Sequence, residues 1–313
     1  MKNLKVVFMG TPVFSVPILN MLIEHCQVVG VVTQPDKKVG RGQKIKYSAI
    51  KEVALTNGIT VFQPINIRNE YKEILSLNPD IIITCAYGQI IPKELLETPK
   101  YKCINIHASL LPELRGGAPI HRAILKGHSR TGITIMEMAE KMDAGPIISQ
   151  REIPIEASDN AGTLHNKLSQ LGKDLLFETL PKIISGDYTL IKQNEREATY
   201  AWNLKKEDER INWDKGRIAI FNRIRGLNPW PVAYTTLNSK IVKIWEAKYT
   251  DNVHFEKVNG EIVSISDEGI VVKVTDGEIV ITVLQLEGKR KMSVKDYLNG
   301  LSNKDELINR VFF

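Results

Sequence analysis

Short apolar runs and segments of helical spacing alternate along the first half of the chain. Residues 5–9, 27–33 and 81–86 are apolar runs bounded by Gly, Pro or polar residues, and they read as strands. The run Ile81-Ile82-Ile83-Thr84-Cys85-Ala86 is of the kind buried on both faces of a sheet. Residues 13–24, 48–56 and 69–77 read as the intervening helices, with Ser48 as an N-cap and Gly58 as a stop; residues 59–62 form a further short strand. Strand and helix in alternation predict an α/β domain, a Rossmann-like doubly wound sheet. Its first turn, Gly10-Thr11-Pro12, resembles a nucleotide-binding start but lacks G-x-G-x-x-G, which speaks against a dinucleotide site. Residues 160–184 form one long amphipathic segment that Pro181 is expected to kink or close.

The pattern then changes. From about residue 187 the chain has few apolar runs and many charges of both signs. This places domain boundaries at 1–188, a linker at 189–206 and a second domain at 207–313. After a short helix at 215–225 come several short strands. The clearest hairpin is 271–275 with 278–283 around Asp276-Gly277, and Asn238-Ser239 and Asn259-Gly260 are further turns. Strands at this spacing predict a small barrel. Trp230, set between two prolines, reads as core.

A length of 313 residues suits two domains, and 43% apolar with 25% charged residues is ordinary for a soluble protein. A net charge of +6 permits an anionic partner without requiring one. Residues 201–313 hold 18 Lys or Arg against 16 Asp or Glu, so the second domain is only slightly basic. Cys26, Cys85 and Cys103 lie in or beside apolar runs and read as buried free thiols in a reducing compartment. No Cys or His spacing suggests a metal site, so none is expected. The first apolar run is broken by Gly10-Thr11-Pro12, which argues against a signal peptide, and no run reaches membrane-spanning length. A cytoplasmic protein is expected, with no membrane contact, acting as a monomer.

The candidate chemistry centres on residues 103–112. Asn105 and His107 sit two apart on a strand and so share a face near its end. Taken alone, they could equally be a plain turn with a surface histidine. A second alternating run, 131–138, leads into a loop that carries Asp143 and closes at Gly145-Pro146. An Asp brought to such a pair can orient the imidazole and favour its charged form, and the Asn amide can bind a developing oxyanion. No Ser or Cys is placed as a nucleophile, so direct transfer fits better than a covalent intermediate. Residues 34–46 hold Lys37, Lys38, Arg41, Lys44 and Lys46 against Asp36 alone. Their Pro and Gly residues predict an irregular basic loop overhanging the same edge, suited to phosphates.

The runs "NIHASLLPELRGGAPIHRAI" and "TGITIMEMAEKMDAGPII" closely resemble the folate-dependent formyltransferases. The resemblance continues at "VVFMGTPVFSVPIL", "VVTQPDKKVGRGQK" and "NPWPVAYT" and covers nearly the whole chain. It implies N10-formyltetrahydrofolate as donor cosubstrate and, in the branch most resembled, the methionine α-amino group of initiator methionyl-tRNA as acceptor. It implies Asn105, His107 and Asp143 as the catalytic set, and a C-terminal OB-like barrel that also touches tRNA. Folate contacts are expected from Ser109, Leu110, Leu111 and Pro112, with Tyr87 and Gly88 walling the pocket. Arg41 is expected to grip the tRNA acceptor end, helped by Lys37, Lys38 and Lys44. An amino sugar or a glycinamide nucleotide as acceptor, hydrolysis to formate, and a non-catalytic RNA-binding role remain as alternatives.

Overall fold

The computed structural model describes residues 1–39 and 42–313, and the chain divides into two compact units. One unit comprises residues 1–119, 130–154 and 165–202; the other comprises residues 120–129, 155–164 and 203–313. Arg41, expected to meet tRNA, lies outside the described residues.

The strands of the first unit are β1 (Lys5–Gly10), β2 (Gln27–Val32), β3 (Lys37–Val39), β4 (Lys44–Lys46), β5 (Val61–Phe62), β6 (Ile81–Cys85), β7 (Cys103–His107), β8 (Arg130–Glu137) and β9 (Ile147–Pro154). Seven of them form one sheet in the order β5-β2-β1-β6-β7-β8-β9. From β5 to β7 the pairs are parallel, as the strand-helix alternation predicts. All of β6 and all of β1 after Lys5 are buried, because helices cover both faces of a parallel sheet. The chain order reverses between β1 and β6, the kind of switch point where α/β sheets open a crevice. The last two pairs are antiparallel, so β8 runs back along β7. Ser48 caps the helix Ala49–Thr56 by accepting the Lys51 N–H at 3.0 Å, and Gly58 takes φ +66° just past its end.

One expectation fails in this unit and another fails in part, since Pro181 does not close its helix. Residues 34–46 are not an irregular loop, because β3 and β4 pair as an antiparallel hairpin. Pro35 precedes the paired positions and Gly42 follows β3, so neither blocks the ladder. The helix Ala161–Ser185 also continues past Pro181. Leu180 and Ile183 are buried on either side of the proline, and that packing outweighs the lost backbone bond.

The second unit contains β10 (Ala233–Leu237), β11 (Lys240–Thr250), β12 (Ile262–Ser266), β13 (Gly269–Val274), β14 (Gly277–Leu286) and β15 (Met292–Ser293). They form an antiparallel sheet in the order β10-β11-β14-β13-β12, with β15 on β14. The Asn238-Ser239 turn joins β10 to β11 with both residues at positive φ, +51° and +62°, as a tight hairpin turn demands. The terminal residues join the two edge strands. Phe313 and Thr236 exchange two backbone hydrogen bonds of 2.9 Å, while Ile262 N–H donates to Arg310 at 2.8 Å and Phe312 N–H to Gly260 at 2.9 Å. Closing a sheet in this way removes its exposed edges. Trp230 is not core: it is 45% exposed, because Leu227 and Val232 take the buried positions on either side of the proline-flanked segment.

Phe312 is 2% exposed and stacks on Trp213 with ring centroids 5.6 Å apart. Phe312→Ala is expected to lower stability by about 3–5 kcal/mol in urea unfolding followed by Trp213 fluorescence, the usual range for a buried Phe. A change below 1 kcal/mol would mean that the terminal segment does not close the sheet.

Candidate active site

Strand alternation puts Asn105 and His107 on one face of β7. Their neighbours across the ladder are Thr84 of β6, which pairs with Asn105, and Met136 and Thr134 of β8, which pair with Asn105 and His107. Because β8 is antiparallel, the chain leaves it at Glu137, level with Ile104. The loop that follows is closed at its base by Glu137 N–H donating to Pro146 O at 3.0 Å. It brings Asp143 to the strand face: Asp143 Oδ1 lies 3.4 Å from Asn105 Nδ2, and Oδ2 lies 3.7 Å from His107 Nδ1.

Each of the three side chains is held by something else. The Thr84 hydroxyl donates to Asn105 Oδ1 at 2.9 Å, which turns the amide nitrogen toward Asp143 and leaves its second N–H available. His107, 6% exposed, has its Nε2 3.0 Å from the Leu114 carbonyl. A carbonyl only accepts, so Nε2 carries the hydrogen and Nδ1 is the nitrogen that can gain or lose a proton. Asp143 Oδ2 accepts the Gly116 N–H at 2.8 Å, a charge-assisted bond. Gly116 stands at φ +115°, and a Cβ there would lie 2.9 Å from the Ala201 carbonyl oxygen, so only glycine fits.

The loop between β7 and Gly116 is fastened through its backbone. Thr134 Oγ1 donates to Ser109 O at 2.7 Å and accepts the Leu111 N–H at 3.1 Å, while Gln150 donates to Leu111 O at 2.8 Å. The Ser109 hydroxyl donates to Glu113 O at 2.6 Å within the loop. Leu111 packs with Met136 and Ile147, and Leu110 lies over Gly132. Leu114, at φ +58°, aims its carbonyl at His107, while its N–H donates to Thr199 Oγ1 at 2.9 Å. The segment 199–201 lies alongside: Arg115 N–H donates to Thr199 O at 2.9 Å and Ala201 N–H to Arg115 O at 2.7 Å.

The sequence-derived residues thus fall into groups. Asn105, His107 and Asp143 converge. Ser109 spends its hydroxyl inside the loop and Leu111 packs on β8 and β9, whereas Leu110 and Pro112 are partly exposed. The Tyr87 side chain is 4% exposed and turns into the core with Val7, Met9 and Val32. It is Ala86, Gly88 and Ile90 that are exposed beside the end of β6. Burial raises the Tyr87 hydroxyl far above its usual range, and that hydroxyl has no hydrogen-bond partner. Lys37, Lys38 and Lys44 are exposed on the β3–β4 hairpin. Cys26, Cys85 and Cys103 are buried free thiols, and burial pushes Cys85 up to about 12, so none is a nucleophile at this site. Sequence reading missed Thr84, the Leu114 carbonyl and the Gly116 N–H. Only Gly116 left a signal, as the first of two glycines after the motif. A hollow of about 700 Å³ lined by Met1, Asp80 and Tyr101 near the start of β1 holds none of these groups.

Comparison with known proteins follows the same lines. A family model described as "Formyl transferase" matches residues 4–180, and one described as "Formyl transferase, C-terminal domain" matches residues 203–302. Proteins named methionyl-tRNA formyltransferase are similar throughout: that of Bacillus licheniformis is 52% identical over 300 residues, 95% of each chain. That of Bacillus cytotoxicus is 53% identical over 302 residues, 95% of this chain and 96% of its own. Among solved structures, an N-formyltransferase from Helicobacter canadensis, in complex with folinic acid and dTDP-3-aminofucose, shares the fold. Its TM-score is 0.66 at 22% identity, covering 89% of this chain and 98% of that one. HypX from Aquifex aeolicus with tetrahydrofolic acid gives a TM-score of 0.64 at 17% identity, covering 95% of this chain and 47% of that one.

The Leu114 contact has a direct spectroscopic consequence. Nitrogen-resolved NMR of the neutral His107 ring is expected to find the hydrogen on Nε2. A hydrogen on Nδ1 would mean that the Leu114 carbonyl does not set the tautomer.

Proposed function

The chain belongs to the formyl transferase family, and on that premise we propose that it moves a formyl group from N10-formyltetrahydrofolate to the α-amino group of methionine on initiator tRNA. The observation that carries the reading is the convergence of the Asn105 amide, the His107 imidazole and the Asp143 carboxylate. Asp143 is bound short to the Gly116 backbone, at 2.8 Å, but long to the other two side chains, at 3.4 and 3.7 Å. Those two contacts are long and weak, so Asn105 Nδ2 and His107 Nδ1 can exchange them for bonds to a reacting oxygen.

The methionyl amine forms a bond to the formyl carbon, and the carbonyl oxygen becomes an oxyanion. Asn105 Nδ2–H and a protonated His107 Nδ1–H donate to it, replacing their long contacts to the carboxylate. Asp143 balances the imidazolium until it takes up the proton that the amine loses. The oxyanion then collapses to a carbonyl, the bond from the formyl carbon to folate N10 breaks, and Asp143 gives that proton to N10 as it leaves, so no net proton is consumed. The exposed rim of Ala86, Gly88 and Ile90, with Leu110 and Pro112 of the neighbouring loop, offers an apolar wall for the folate ring.

The hairpin supports a polyanionic acceptor. Lys37 and Lys46 stand directly opposite each other in the ladder, and like charges in that position repel. Lys38 and Lys44 add to the same charge, and a phosphate backbone laid against them relieves it. The C-terminal antiparallel domain is proposed as a second tRNA contact, since barrels of this kind commonly bind nucleic acid.

The test uses donor carrying a labelled formyl group. Label is expected on methionyl initiator tRNA, and not on methionyl elongator tRNA, amino sugars, glycinamide ribonucleotide or water. Label on a small amine, or release as formate, would overturn the acceptor. Asn105→Ala should lower turnover by about 10²–10³ with the fold intact, and a loss under about tenfold would remove it from the catalytic set. Lys37→Ala and Lys46→Ala should each raise KM for tRNA and reduce the slope of log affinity against log salt by about 0.7–0.9, with kcat unchanged. An unchanged slope would detach the hairpin from tRNA.

A further inference from the structure

Asp143 is held at its carboxylate by Gly116, but its backbone also needs support. It stands at φ +49°, in the left-handed region that costs a non-glycine residue roughly 1–2 kcal/mol. Gln193, 50 positions further along the chain and 5% exposed, supplies that support. Its Nε2 donates to Asp143 O at 2.8 Å and to Gly145 O at 2.7 Å. Its Oε1 accepts from Arg115 Nε at 3.0 Å and from Arg115 Nη2 at 2.7 Å. Two donors and two lone pairs are the full capacity of an amide. The guanidinium can only donate and the carbonyls can only accept, so the amide cannot turn over.

Arg115 is the residue before Gly116, and its side chain is wholly buried. Its carboxylate partner among the described residues is Glu195 at 3.0 Å. Arg115 and then Lys141 hold the Glu195 carboxyl down to about 2, so it stays charged across any working pH. Lys141 belongs to the Asp143 loop, so its ion pair with Glu195 is a further tie between that loop and segment 193–195. A buried guanidinium is costly unless its partners are well placed. Here its side-chain bonds go to Gln193 and Glu195, and it is Gln193 that passes the contact on to the segment carrying Asp143.

We infer that Gln193, locked by Arg115, is a positioning residue that holds the Asp143 loop so that the carboxylate faces Asn105 and His107. The inference rests on the proposed catalytic role of Asp143.

Gln193→Glu tests it, because it keeps the size and the acceptor for Arg115 but removes both N–H donors to the loop. The expected result is a fall in kcat of roughly tenfold to a hundredfold, with KM for folate and for tRNA within about threefold of wild type. In an Asp143→Asn background the same change should cost less than about threefold, since residues acting through one another are not additive. Wild-type kcat in Gln193→Glu, a rise in KM alone, or an equal loss in both backgrounds would overturn the inference. If Gln193→Glu does not fold, Arg115→Lys reads the same link, because it keeps the buried charge but loses the two-pronged contact. Its kcat should fall by at least about threefold with KM held, and wild-type kcat there would also overturn the inference. An active Asp143→Asn would overturn the catalytic reading itself. An inactive Asp143→Asn beside a fully active Gln193→Glu would overturn only the positioning role.

Discussion

The Asp143 carboxylate ties together three separate stretches of chain. One oxygen accepts the Gly116 N–H at 2.8 Å and also faces His107 at 3.7 Å, while the other faces Asn105 at 3.4 Å. The short contact goes to backbone that glycine alone can supply, so the carboxylate is anchored without using its catalytic partners. Those partners are anchored independently, by Thr84 and by the Leu114 carbonyl. Members that are each fixed from behind keep their positions without depending on the long contacts between them.

This arrangement costs backbone strain at two positions that hold the candidate site. Leu114 at φ +58° and Asp143 at φ +49° both occupy the left-handed region. In each case the unusual backbone turns a carbonyl toward a defined donor: Leu114 O toward His107, and Asp143 O toward Gln193. Such positions cost of order 1–3 kcal/mol each and persist only where the surroundings over-determine them. The surroundings here are the 193–201 segment, which bonds to Arg115, to the Asp143 loop and to the chain at Leu114. A stretch that reads as a charged linker is therefore part of the framework around Asn105, His107 and Asp143.

Elsewhere charge and closure shape the surface. The β3–β4 pair sets Lys37 opposite Lys46 and so concentrates positive charge on a small element. An ordered hairpin presents its cations at fixed spacing, which a disordered loop of the same composition would have to arrange on binding, at an entropic cost. In the C-terminal unit, the terminal residues join the edges at Thr236 and Ile262 and bury Phe312 against Trp213. Its sheet therefore offers fewer free edges to other chains.

Local rules made much of this legible from the amino-acid order. The period of two through Cys103–His107 put Asn105 and His107 on one face, the Ser48 cap and the hairpin around Asp276-Gly277 formed where expected, and the motif carrying Asp143 announced the family. These features depend on residues a few positions apart, where backbone geometry leaves few choices. The rest depends on packing between distant segments. Tyr87 turned inward and Trp230 stayed half exposed because neighbouring residues competed for the same core positions. Thr84 reached Asn105 from an adjacent strand, and Gln193 reached Arg115 across 78 positions. Which carbonyl is left without a partner is decided only when segments pack, and so is which amide arrives to satisfy it. Apolar periodicity carries no record of either, so the sequence by itself determined which groups make up the candidate site and only the tertiary structure decided what holds them in place.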